Sequence, residues 1–265
     1  MSAAWNAALL CNPPFFADLC SLLRPARFAD WPDATSLSSM LAAETPGGSP
    51  LRFVADPGAG GEGALAYERR TVAAGEVGLR PGTWHDLFNA FMWIVLPRSR
   101  MAISEAHLAA GDGVDGRRPP RRDALTLFDE CGVVLACADE RAEPLHRAHR
   151  WRDLCVRRRS LWWTRLTPML VGHGLCEQLL KPYSGLTGKA LYMSVPPAWF
   201  DQPLAVRYRQ LDARLASAVR AGSVLQSTSE LLPLPMLGVP GWCEANCDPA
   251  YYEDARVFRA RRSQG

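Results

Sequence analysis

DALTLFDECGVVLA, residues 123–136, holds two apolar β-prone runs, 125–128 and 133–136, separated by Asp129, Glu130, Cys131 and Gly132. A short polar break ending in a glycine that tolerates positive φ predicts an antiparallel hairpin near 124–137, the clearest strand pair in the chain. Outward from it the pattern becomes helical. Upstream, a helix starts after Thr83 as N-cap, carries Asp86 where an acid suits the dipole, and stops before Pro97. A second helix is expected near 98–110. Downstream, the apolar spacing predicts helices over 143–161 and 162–180, the second bent at Pro168. Residues 189–195 read as a strand. Residues 204–221 read as an amphipathic helix with Leu204, Tyr208, Leu211, Leu215, Ala218 and Val219 on one stripe and Gly222 as its stop. Strand character also marks 51–55 and 64–67, on either side of a Gly-rich turn at 58–63.

The expected fold is therefore α+β: a mostly helical single domain with a small antiparallel sheet and an extended C-terminal strap. Residues 1–50 form an N-terminal arm broken by prolines and rich in aromatics, 51–230 the core, and 231–265 the strap. PLPMLGVPGW at 233–242 rules out regular helix or central strand there.

At 265 residues the chain is long enough to bury a sizeable core without covalent staples. The net charge of +3 does not indicate nucleic acid as a partner. Among 30 basic residues only Lys181 and Lys189 are lysine, a skew read as genomic base composition. Residues 1–10 lack the basic start of a secretory signal, and the apolar stretches near 87–96 and 161–171 are too short or broken to span a bilayer. A cytoplasmic protein without membrane partners is the expectation. The eight cysteines then read as reduced thiols, and Cys243 and Cys247 lack the second ligand pair that a structural zinc requires.

Candidate chemistry gathers in three places. In WHDLFNAFMW, 84–93, His85 and Asn89 stand one helical turn apart, with Asp86 beside them. An imidazole at a helix start tends to stay neutral, which suits a metal ligand, although capping by His85 and Asp86 explains the group equally. His107, on the next helix, could reach the same cluster if the two helices fold back on each other. In GHGLCE, 172–177, His173 and Glu177 have i, i+4 spacing and two glycines permit close backbone approach. A His–Glu hydrogen bond within the helix is the ordinary alternative. Asp129 and Glu130 sit in the expected hairpin turn, where acids also serve the turn itself. RRPPRR at 117–122 reads as an exposed connector, and GLTGK at 185–189 lacks the spacing of a phosphate loop. GxSxG, HExxH and paired CxxC motifs do not occur.

Five segments give the chain a family resemblance: WHDLFNAFMWIVLPRSR at 84–100, DALTLFDECGVVLA at 123–136, GHGLCEQLLKPYSGLTGKAL at 172–191, LPLPMLGVPGW at 232–242 and YYEDARVFRARR at 251–262. The chain resembles a bacterial family catalogued as domain of unknown function 3025. That resemblance implies no activity, cofactor or catalytic residue, and it is weakest over the N-terminal arm and the basic loop before Asp123.

The leading expectation is an enzyme whose site gathers His85, Asp86, Asn89, His173 and Glu177, with His107 and Asp129 among the ligands of a divalent metal. It would carry out metal-assisted hydrolysis, with phosphate esters as one substrate class and a spare carboxylate as base. The alternative is a non-catalytic protein- or nucleic-acid-binding module presenting Trp242, Tyr251, Tyr252 and Phe258 from the strap.

Overall fold

The computed structural model describes residues 4–41, 43–55, 65–111, 113 and 117–258. The N-terminal segment carries helices α1 (Ala8–Cys11), α2 (Ala17–Leu23) and α3 (Ala34–Ser38). Strand β1 (Arg52–Ala55), helix α4 (Ala66–Ala74) and strand β2 (Glu76–Leu79) follow, and the two strands pair in parallel. Helices α5 (Trp84–Val95), α6 (Pro97–Ala110) and α7 (Pro120–Cys131) lead into strand β3 (Gly132–Cys137). After α8 (Ala142–Arg147) come β4 (Leu166–Leu170), α9 (His173–Leu179), β5 (Thr187–Ser194), α10 (Leu204–Arg220) and β6 (Leu232–Pro235).

The mostly helical α+β class holds, with one correction at its centre. Residues 124–137 are not a hairpin: the chain is helical up to Cys131 and extended from Gly132. Pro120 occupies the first helical turn, Asp123 suits the dipole there, and Ala124, Leu125 and Phe128 form one buried stripe of period 3.6. These signals outweigh the β propensity of the short run. Gly132 is required for close approach rather than for a turn, since a Cβ there would lie 2.2 Å from the Phe128 carbonyl oxygen. The only strand of the expected pair, β3, runs antiparallel to β4 and parallel to β5, and the four-stranded sheet has the order β4-β3-β5-β6.

All six residues of β3 are buried, as a strand covered on both faces requires. Val133 and Leu135 pack with Leu166, Leu170 and Ala190 into one apolar cluster, while Val134 and Ala136 pack with Met169, Leu191 and α10 into the other. Side chains that alternate along a strand thus feed opposite cores. Both sheet edges contain proline: Pro168 in β4, and Pro233 and Pro235 in β6. An edge is where a missing N–H is tolerated, and this explains why 166–170 is strand although the spacing of 162–180 suggests a helix.

Three other expectations are corrected. Residues 66–67 begin α4 rather than a strand; the Gly-rich turn at 58–63 lies outside the described residues. The helix expected over 143–161 is broken into α8, a π-helical stretch at Asp153–Arg157 and a 3-10 turn at Arg159–Leu161. Cys11 and Cys20 are joined in a disulfide at a Cα separation of 5.3 Å, while the other six cysteines are free. The strap adds the edge strand β6 and then short 3-10 turns. Trp242, Tyr252 and Phe258 are buried, so these aromatics face the core and not a partner. The N-terminal segment packs on α5, with Phe16 stacked on Phe88 at 5.4 Å and Trp5 on Trp84 at 5.5 Å. Among the described residues no helix is long and apolar enough to cross a membrane.

Candidate metal centre

Three helix ends meet at the end of the sheet where the interior strand β3 begins. The first turn of α5 supplies His85, the last turn of α7 supplies Asp129 and Glu130, and α9 supplies His173 and Glu177. Their closeness depends on glycine. A Cβ on Gly172 would lie 2.4 Å from the Gly132 nitrogen, and one on Gly174 would lie 2.4 Å from Glu130 Oε2. The Gly172 N–H donates to the Gly132 carbonyl oxygen at 2.8 Å, which locks α9 against the start of β3.

The two imidazoles face each other, Nε2 to Nε2, at 3.1 Å. Glu130 Oε1 stands 3.4 Å from His173 Nε2. Donor atoms around a tetrahedral cation with bonds of about 2.0–2.1 Å are separated by roughly 3.3 Å, so both distances match ligands sharing one ion. Among the described residues, His85, Glu130 and His173 are the one set of three such side chains whose ligand atoms all lie within 4.8 Å of one another.

Tautomers sharpen the argument. His85 Nδ1 lies 3.0 Å from Glu177 Oε2, and an ionised carboxylate only accepts, so the proton sits on Nδ1 and Nε2 presents a lone pair. His173 Nδ1 faces Asp129 Oδ2 at 3.9 Å; a proton on that nitrogen would turn a second lone pair inward, whereas a proton on Nε2 is the one that hydrogen-bonds Glu130 Oε1. Two lone pairs at 3.1 Å repel unless a cation or a shared proton lies between them. His173 is 6% exposed, while Glu177 is open to solvent, so the centre is buried on one side and reachable on the other. The hydrogen bond from His173 holds the Glu130 carboxyl below its ordinary range despite partial burial.

The remaining candidates divide. Asp129 is drawn to Arg100, with which it forms an ion pair. Asn89 accepts from Arg100 Nη2 at 2.7 Å and faces the Tyr67 hydroxyl, adjoining the centre without entering it. Asp86 lies outside: burial opposes its ionisation, but Arg80 donates from Nη2 at 2.7 Å, from Nε at 2.9 Å and from its backbone N–H at 2.6 Å, so the carboxyl stays below its usual range. It fixes the turn before α5. His107 is buried further along α6 and is not in the cluster; burial first, then Arg122, Arg118 and Arg100, push its pKa down to about 4. Helices α5 and α6 do not fold back along each other: α6 packs chiefly against α10, α4 and α7, which keeps His107 away from the first turn of α5.

Sequence reasoning placed Glu130 in a turn and overlooked Arg100 and Tyr67. The period-3.6 stripe through Ala124, Leu125 and Phe128 was the signal for Glu130, because a helix ending at 131 aims Asp129 and Glu130 in directions about 100° apart. For Arg100, which is charged yet 3% exposed, the sequence held no signal.

A family model described as "Protein of unknown function (DUF3025)" matches residues 51–262, which include every residue of this centre and leave out the N-terminal segment. No curated protein and no solved structure matches the chain. On the extent of that match, the chain belongs to the DUF3025 family of proteins of unknown function.

Proposed function

We propose that His85, His173 and Glu130 bind a divalent first-row transition metal, and that the protein is a metal-assisted hydrolase. The supporting observation is the convergence of two imidazole Nε2 atoms and a carboxylate oxygen at 3.1 and 3.4 Å, with carboxylates behind both imidazoles. Two histidines and one carboxylate leave coordination positions free, the arrangement of catalytic rather than structural zinc sites. The ion would supply a water acidified to near neutral pH and a Lewis acid for the substrate oxygen. Outside the ligand set, Asp129 is held by Arg100, whereas Glu177 is exposed to solvent beside His85. Glu177 is engaged at His85 Nδ1 and is assigned to orienting that imidazole, which leaves the base for the bound water unassigned.

The test is elemental analysis of protein purified without an affinity tag, followed by assay against chromogenic carboxylic and phosphate esters. One equivalent of metal is expected, lost with activity in His85→Ala and His173→Ala. Absence of stoichiometric metal, together with unchanged behaviour of both variants, overturns the reading.

A further inference from the structure

Once three ligand atoms are assigned, the Arg100–Asp129 pair still requires an explanation. Arg100 is 3% exposed, and burial lowers its pKa against the opposing pull of Tyr67, Glu130 and Glu68. A buried ion pair stabilises little more than apolar groups of the same volume, so what this pair orients explains it better than what it holds together. It orients towards His173. That ring's Nδ1 is buried, has no hydrogen-bond partner among the described residues, and looks at Asp129 Oδ2 from 3.9 Å.

We propose that Asp129, held in place by Arg100, is the positioning residue for His173, as Glu177 is for His85; this rests on reading the centre as a metal site. Each imidazole then has a carboxylate at Nδ1 and commits Nε2 to the ion. One arm of the Arg100 fork carries Asp129 and the other donates to Asn89 Oδ1 at 2.7 Å, while its guanidinium lies 5.4 Å from the Trp93 ring centre. Asn89 and Trp93 in turn donate to the Tyr67 hydroxyl at 3.3 and 3.1 Å. Asn89 stands one turn after His85 on α5, so a single guanidinium ties the helix bearing one imidazole to the carboxylate behind the other. A planar fork is needed for this, and lysine cannot replace it.

The experiment is a titration of metal-free full-length protein with Co²⁺, read by affinity and by its visible absorption bands. Asp129→Asn is expected to weaken binding about 10–100-fold and to shift the bands, the usual consequence of losing an outer partner of a metal-bound histidine. Because Asp129→Asn leaves Arg100 unpaired and could unfold the chain, Arg100→Met/Asp129→Leu is measured beside it, removing both charges at similar volume. The same weakening in the folded double variant supports positioning. Co²⁺ affinity and bands equal to those of the parent protein in that double variant overturn it. If the parent protein itself takes up no Co²⁺, the metal reading fails and this inference falls with it.

Discussion

His146 and His173 are both buried imidazoles against the same four-stranded sheet, yet they are held in opposite ways. Around His146 each ring nitrogen has a protein partner: Nε2 donates to the Pro233 carbonyl oxygen at 2.9 Å, and Nδ1 accepts from the Tyr192 hydroxyl at 3.1 Å. Around His173 one nitrogen meets another imidazole nitrogen and the other looks at a carboxylate beyond hydrogen-bonding distance. The first arrangement is complete within the protein. The second leaves Nδ1 without a hydrogen-bond partner among the described residues and sets Nε2 between His85 and Glu130, the contrast on which the proposed ligand role of His173 rests.

Substitution tests that contrast most strongly. His173→Ala should lower metal affinity by more than the roughly 10–100-fold that an outer partner contributes, with little loss of metal-free stability. His146→Ala should leave metal stoichiometry intact but cost about 2–4 kcal/mol in urea unfolding, since it opens a cavity and strands two polar partners. If the two variants behave alike, the distinction fails.

A pH series sharpens the same contrast. Burial, only partly countered by the bond to Pro233, lowers the His146 pKa from 6.5 to about 4. Between those values the unfolded chain binds a proton that the folded chain refuses, so stability falls as pH drops through that window, by up to about 3 kcal/mol. Urea midpoints for His146→Gln should show a pH slope smaller by about one proton than those of the parent protein.

Two smaller effects probe the architecture beneath the centre. Gly172→Ala sets a Cβ 2.4 Å from backbone and should cost about 1–3 kcal/mol by thermal unfolding, with weaker metal binding as α9 shifts. Glu177→Gln should change stability by less than about 1 kcal/mol, since its ion pair is exposed, while metal affinity falls by about 10–100-fold as the partner of His85 Nδ1 is lost.

Part of this molecule could be read from its residues. His85, His173 and Glu177 stand out because helical spacing is a local property: polar groups at i and i+4 inside apolar segments are visible without knowing the fold. Helices α5 and α10 are legible for the same reason. Glu130 was hidden by a contest between β propensity over 125–128 and a helical start at Pro120, which only packing against β3 and α10 decides. Pro168 misled because its cost depends on whether its strand lies at an edge, a fact of topology and not of neighbours in sequence. Arg100 could not be foreseen, since beside its neighbours Asn89 and Trp93 on α5 it is enclosed by Tyr67 of α4 and Asp129 of α7, about thirty residues away on either side.

The prolines on both outer strands have a consequence for assembly. Pro168 on one margin and Pro233 and Pro235 on the other remove amide donors that an incoming strand would need, and His146 already engages the Pro233 carbonyl. Main-chain templating of a second molecule onto the sheet is thereby blocked at both ends. For this four-stranded sheet, self-association by adding strands is disfavoured at either margin.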